Sequence, residues 1–500
     1  MSSSAPQDGS HVRIGLLSST YARLPAQFHA HVTPSPVAVP QLICVNYPLA
    51  ADLGLELAEL DTATLAALFA GNLVPDGAEP IASAYAGHQF GNFVPQLGDG
   101  RAILVAETVD AAGARWDLQL KGSGPTPFSR AGDGRAALGP VLREYLVSEA
   151  MHALGIPSTR ALAAVSTGEQ VMREGPLPGA VLTRVAASHI RVGTFEFHAA
   201  RGDDAAVKQL ADYVLARHYP ALQNTAQPIV ALLEAIVARQ AKLIARWMQV
   251  GFIHGVMNTD NMTVSGETID FGPCAFMDAY HPATVYSAID RGGRYAYANQ
   301  PRIGMWNLAR LAETLIPHID PVAEKAVEIA TASLLAFQSQ YTANWLAGMR
   351  AKLGLRGEQP DDPTLIESLL EAMHSNAADW TNTFRALCAA AEGDDTAARG
   401  QFADPSAFDH WAVAWRARLA LEAAPGAVVG AGMRAVNPAI IPRNHQVERA
   451  LRAAIDGNDF EPFDRLRSAL ATPYCTSAET TPYEAPPSVE ERVLQTFCGT

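Results

Sequence analysis

The residues with the clearest chemical potential lie in one short stretch, His254-Gly255-Val256-Met257-Asn258-Thr259-Asp260-Asn261, continued by Asp270-Phe271-Gly272. Residues 262–264 and 268–269 are β-prone and are joined across Ser265-Gly266, a turn-forming pair. A two-residue turn sets Val264 against Glu267, and counting outward sets Asn261 against Asp270. Side chains directly opposed in this way stand roughly 5 Å apart at Cβ, close enough for an amide oxygen and a carboxylate to hold one divalent cation. Asp260 adds a second carboxylate beside them. A surface turn rich in Asn, Asp and Gly is the plain alternative.

An Asn followed by Asp-Phe-Gly across such a hairpin is how protein kinases hold the metal that bridges nucleotide phosphates. The kinase catalytic loop reads H-R-D-x-x-x-x-N, and His254 to Asn261 has that length with Val256 where the catalytic Asp stands. Valine accepts no proton, which excludes ordinary kinase chemistry at that position and leaves Asp260 as the nearest replacement base.

Cations for phosphate come from earlier in the chain. Gly98-Asp99-Gly100-Arg101 precedes a strand-like stretch, a turn near Ala112-Gly113 and a second strand that ends on Lys121. A glycine turn before a hairpin lets backbone amides approach phosphate, and a lysine about twenty residues on is the kinase pairing. In that second strand Trp116, Leu118 and Leu120 share one face, while Asp117, Gln119 and Lys121 share the other. A second glycine loop, Arg130-Ala131-Gly132-Asp133-Gly134-Arg135, leads to a helix predicted from Gly139-Pro140. Glu144 and Glu149 both lie on that helix, and either could pair with Lys121 or be a solvated carboxylate. Arg184, in a predicted strand over 180–185, and Arg191 could clamp phosphate oxygens bidentately or form ordinary surface pairs.

The rest of the chain must position these groups. A helix is predicted over 55–70 from Leu57, Leu60, Leu65 and Leu68, a strand over 165–171, and helices through 206–250, the last running straight into the His254 loop. The segment 273–305 takes the place of an activation segment. Helices dominate from 305 to about 470, and a short one is predicted over 489–497.

Composition sets the class. The 500 residues are 48% hydrophobic, which suits a globular chain with a sizeable core. A net charge of −14 argues against a general binder of nucleic acid or anionic membrane, and no run approaches the roughly 20 apolar residues of a spanning helix. The start of the chain does not read as a secretory signal. The five cysteines are odd in number and form no C-x-x-C, which suits a reducing compartment and makes the cytoplasm the expected location.

Longer motifs, Tyr85-Ala86-Gly87-His88-Gln89-Phe90-Gly91, Leu118-Gln119-Leu120-Lys121-Gly122, Arg143-Glu144-Tyr145-Leu146, the His254–Asn261 loop and Asp270-Phe271-Gly272-Pro273, with Asn437-Pro438 and Pro473-Tyr474, resemble the SelO family of kinase-fold protein adenylyltransferases over most of the chain. The resemblance implies an α+β, protein-kinase-like two-lobed fold: an N-terminal extension over 1–80, an N-lobe over 81–195, a C-lobe over 196–350 and a largely helical C-terminal region and tail over 351–500. It further implies that ATP binds reversed relative to kinases, so that AMP passes to Ser, Thr or Tyr hydroxyls of protein substrates and pyrophosphate leaves. On matching positions, Lys121 would contact phosphate and pair with Glu144, and Gly98, Gly100, Arg101, Asp133, Gly134, Arg184, Arg191 and Asp270 would bind nucleotide. Asn261 and Asp270 would hold Mg²⁺, with Mn²⁺ as the alternative, and Asp260 would accept the proton. The family is linked to redox control through a C-terminal cysteine bonded to the activation segment. Cys498 fits one half, while the usual partner position falls near Val285-Tyr286-Ser287, leaving Cys274 as a substitute or a buried thiol. The readings from other classes are a nucleotide-binding pseudokinase scaffold and a kinase that transfers the γ-phosphate.

Overall fold

Side-chain alternation along Arg115–Lys121 decides the architecture around the site. This strand pairs antiparallel with Ala102–Val109 through a tight turn in which Asp110 Oδ1 accepts from the amides of Ala112 and Ala114 at 2.9 Å. The computed structural model, which describes residues 12–497, carries this hairpin into a mixed α/β fold built on a large antiparallel sheet and many helices. Among the described residues the sheet has nine strands. Its path runs His29–His31, Ile81–Ser83, Ala102–Val109, Arg115–Lys121, Pro176–Ala186, Arg160–Met172 and Gln41–Val45, with Leu17–Ser18 and Ala136–Ala137 attached at its sides. The strands from residues 17–45 are therefore part of the same sheet as the Lys121 hairpin.

The helix Leu138–Ala153 crosses this sheet and is buried along most of its length, which explains why its acids are committed to partners inside the fold. Helices Asn444–Gly457 and Glu461–Leu470 return from the far end of the chain to cover it, with Phe463 edge-on to Tyr145 at 5.8 Å. On the other side of the site, Pro228–Gln249 buries Leu232, Leu233, Ile236, Val237 and Ile244 at helical spacing against Gln300–Leu315 and Ala323–Lys352. It delivers the chain into Phe252–Ile253, which pairs with Ala275–Phe276 and so ties together the two ends of the loop that carries His254, Asp260, Asn261 and Asp270. No helix of the described residues is long and apolar enough to cross a membrane.

Three expectations are corrected. The helix predicted over 55–70 is confined to Thr62–Ala70, because Asp61 caps the Thr64 amide at 2.7 Å and starts it late. The 489–497 segment is not helical: Thr496 lies beside Ser287, its amide donating to the Tyr286 carbonyl at 2.8 Å and its hydroxyl to the Pro273 carbonyl at 2.5 Å. In the metal hairpin the register is one residue away from the predicted one, with Met262 opposite Thr268. Thr263 Oγ1 donates to the Glu267 carbonyl at 2.7 Å and accepts from its amide at 3.0 Å, widening the connection beyond two residues. Asn261 is thus not cross-strand to Asp270; it ends a 3₁₀ turn, Thr259–Asn261. Cys498 lies outside the described residues; Cys274 is fully buried.

Candidate active site

A cavity of about 700 Å³ opens between the sheet and the His254 loop, a size suited to a nucleotide-sized ligand. Gly98, Gly100, Arg101, Lys121, Asp133, Gly134, Arg184, Arg191, Asp260, Asn261 and Asp270 all border it. Glu144 does not border it and stands behind Lys121 and Arg184.

The cationic wall is built by strand alternation. Arg184 faces Gln119 across the pairing of Pro176–Ala186 with Arg115–Lys121, on the same face as Lys121. Lys121 Nζ donates to Glu144 Oε2 at 2.6 Å, and Arg184 Nε donates to the other carboxylate oxygen. This selects Glu144 over Glu149, which is occupied by Arg160 at 2.8 Å and Asn46 at 2.8 Å. Arg184 also donates to Asp270 Oδ1, and Lys121 stands 3.7 Å from the same oxygen. Arg191 lies over the Tyr85 ring at 4.4 Å, donates to the Asp260 carbonyl at 3.0 Å and comes within 3.8 Å of both Asp99 and Asp270.

Burial lowers the Lys121 pKa, helped by the neighbouring Arg184 charge and opposed by Glu144. For Glu144 and Asp270 burial pushes the other way, but the Arg184 and Lys121 charges prevail and hold both carboxyls below their ordinary range. Asp260 differs. Burial raises it to about 6, with the Gln89 hydrogen bond and Arg191 opposing. Two carboxylates in one cavity are therefore driven apart, one firmly ionised and one nearer neutrality, the pattern that separates a charge holder from a proton acceptor.

The loop residues are held individually. His254 is buried with Nε2 2.9 Å from the Ile269 carbonyl, and Asn261 Nδ2 donates to the Val256 carbonyl at 3.0 Å, which leaves its Oδ1 as the group available to a cation. Asp270 adopts φ of 64°, a left-handed conformation that carries its carboxylate back toward the arginines. Among the described residues no cluster of three or more His, Cys, Asp or Glu forms a metal cage. Asn261 and Asp270 both border the cavity, an amide oxygen and a carboxylate of the kind that would hold Mg²⁺ with its remaining oxygens from phosphate and water.

The glycines let the loops that line the cavity pack closely on one another. A Cβ on Gly98 would meet the Phe128 ring at 2.4 Å, and one on Gly134 would meet the Gly124 carbonyl at 2.1 Å. Both have positive φ, 84° and 66°. Asp133 sits at the cavity's outer edge, bound to Arg173 at 2.9 Å, and that hydrogen bond lowers its pKa.

Reasoning from local pattern assigned no role to Tyr85, Gln89, Asn258 or Tyr295. Gly87–Gln89 and Asn92–Val94 form a small hairpin seated on the His254 loop. Asn258 Oδ1 accepts from the Phe90 amide at 3.1 Å and from the Tyr295 hydroxyl at 2.6 Å. For Tyr85 and Gln89 the signal is the unusual Tyr85–Gly91 motif itself, which names no chemistry until partners such as Asn258 and Tyr295 are seen.

A family model described as protein adenylyltransferase SelO matches residues 16–471. The protein nucleotidyltransferase YdiU of Agrobacterium fabrum is 60% identical over 482 residues, covering 96% of this chain and 99% of the relative. Its namesakes in Rhizobium meliloti and Bradyrhizobium sp. are 60% identical over 484 and 483 residues, each across 96% of this chain and 99% and 98% of the relative.

Proposed function

The chain belongs to the SelO family and is a protein nucleotidyltransferase, and we propose that it transfers AMP from ATP to Ser, Thr or Tyr hydroxyls of proteins with Lys121, Arg184, Arg191, Asp260, Asn261 and Asp270 as its working residues. The observation that carries this reading is the convergence of three buried cations on one cavity that also holds Asp260 and has Val256 where a kinase has its base. A transferred AMP leaves behind pyrophosphate, and its developing charge requires cations already in place. Lys121 and Arg184 are each anchored from behind by Glu144, and this reading sets the triphosphate end against them with the α-phosphate on the Asp260 side.

In the step itself, the acceptor hydroxyl oxygen forms a bond to the α-phosphorus while Asp260 takes its proton. The bond from the α-phosphorus to the bridging oxygen breaks, and its electron pair leaves on pyrophosphate. Arg101, Lys121, Arg184 and Arg191 face that charge. Bound by Asn261 and Asp270, Mg²⁺ (or Mn²⁺) would supply further charge neutralisation on the phosphates. Gly98, Gly100, Gly134 and Asp133 give the nucleotide backbone contacts and a mouth.

The same reading takes the fold as kinase-like, with an N-lobe over 81–195, a C-lobe over 196–350, an extension over 1–80 and a helical region over 351–500. Its partners are ATP and cytoplasmic proteins, and it has no use for nucleic acid or a membrane. The test is to incubate the chain with Mg²⁺ and ATP labelled at either the α- or the γ-phosphate. Protein-bound label from the α-position alone, lost in Asp270→Ala, is expected. Label from the γ-position would make it a kinase, and nucleotide binding with neither label would make it a scaffold.

A further inference from the structure

The Tyr85–Gly91 segment touches the catalytic loop more closely than any nucleotide-binding role requires. Ala86 N donates to the Gly193 carbonyl at 2.9 Å and His88 N to Thr259 Oγ1 at 2.7 Å, so the segment is bolted on both sides of Asp260. Glu196 strengthens the second bolt, accepting from the Thr259 hydroxyl and lying 2.5 Å from His88 Nδ1. Between these attachments Asp260 is pressed against the hairpin backbone: a Cβ on Gly87 would stand 2.4 Å from Asp260 Oδ1. That oxygen is buried and has no hydrogen-bond partner among the described residues. The other, Oδ2, receives one side-chain donor among the described residues, Gln89 Nε2 at 3.3 Å, and both Gln89 and Asp260 border the cavity.

We propose that Gln89 is a positioning residue for the reaction, fixing the rotation of the Asp260 carboxylate so that Oδ2 is the oxygen presented to the acceptor hydroxyl. The inference rests on Asp260 being the proton acceptor. An aspartate carboxylate turns about its Cα–Cβ and Cβ–Cγ bonds, the second of them broadly, unless something holds it. Here the Gly87 backbone lies close against one side and the Gln89 amide holds the other. Positioning of this kind acts on the chemical step and leaves nucleotide affinity alone, since Gln89 is linked to the base rather than to Lys121 or Arg184.

The experiment uses the full chain, self-labelling from α-labelled ATP in single turnover, and the affinity for a fluorescent ATP analogue. Gln89→Leu is expected to slow labelling by about 10- to 100-fold with nucleotide affinity within twofold of the parent. In an Asp260→Asn background the same change is expected to add no further loss, because its effect passes through the carboxylate. Should Gln89→Leu fold poorly, Gln89→Met keeps the unbranched stem and reads the same contrast. Parental labelling by the Gln89 variants, weakened nucleotide binding in proportion to the lost rate, or losses that multiply in the double variant would each overturn the proposal. Full activity in Asp260→Asn alone would instead overturn the assignment of the base.

Discussion

Removing one charge from behind the phosphate site has a consequence large enough to decide whether that site is built as described. Glu144 has both carboxylate oxygens committed, one to Lys121 at 2.6 Å and one to Arg184, and its side chain is 3% exposed. Glu144→Gln keeps the shape and deletes the charge, leaving Lys121 and Arg184 opposed mainly by Asp270. Breaking a buried pair in this way destabilises by about 3–5 kcal/mol, because what remains is an uncompensated buried cation. Replacing Lys121 by Met in the same molecule removes part of that excess, so the double variant should recover about 1–3 kcal/mol relative to the sum of the single changes. Glu149→Gln is the internal control, since that acid pairs with Arg160 on the far side of the helix. Urea unfolding measures the stabilities, and transfer of α-label measures function, with Glu144→Gln expected to lose roughly 10²- to 10³-fold in rate. A Glu144→Gln protein as stable and active as the parent, or one outdone in lost transfer by Glu149→Gln, would refute the reasoning.

Removing divalent metal with a chelator should abolish transfer and restoring Mg²⁺ should recover it in the parent but not in Asp270→Ala, read by α-label incorporation. Gly87→Ala drives a methyl into Asp260 Oδ1 at 2.4 Å and should reduce the transfer rate about 10²-fold while ATP analogue binding persists. Lys352 is buried with no carboxylate partner among the described residues, 4.3 Å over the Phe384 ring, and burial pushes it down to about 7. Its folded-state value lies below the unfolded one, so the native state loses stability as pH falls from above 10 toward 7; Lys352→Met should stabilise the chain by ~3 kcal/mol at pH 7 in urea melts. His218 is driven down to about 3 by burial and by Arg217 and Arg239. The unfolded chain alone takes up this proton below pH 6.5, so stability should fall by up to ~1.4 kcal/mol per pH unit from 6.5 toward 3, a slope that His218→Gln removes.

Much of the site is legible in the sequence. Period-two alternation put Lys121, Gln119 and Asp117 on one face, and all three are buried there. The helix after Gly139-Pro140 begins at Leu138, and the predicted strand with Arg184 spans Pro176–Ala186. What local pattern left open needed distance across the fold. Nothing in the residues alone separates Glu144 from Glu149, because their difference is which neighbour each faces from one helix. The hairpin register escaped because a threonine side chain, Thr263, substitutes for ladder hydrogen bonds and lengthens the turn. The 489–497 segment escaped because pairing with residues 286–288, far away in the chain, outweighs local helix propensity. Gln89 escaped for the same reason, being 171 positions from the aspartate it touches.

The central claim is that the nucleotide lies with its triphosphate end inward and its α-phosphate at Asp260. A crystal structure of the chain with Mn²⁺ and an ATP analogue that cannot be cleaved between its α- and β-phosphorus tests it most directly. Anomalous density between Asn261 and Asp270, the γ-phosphate near Lys121 and Arg184, and the α-phosphorus closest to Asp260 are the expected result. Adenine in the deep end with the γ-phosphate at Asp260, or metal bound away from Asn261 and Asp270, would contradict it.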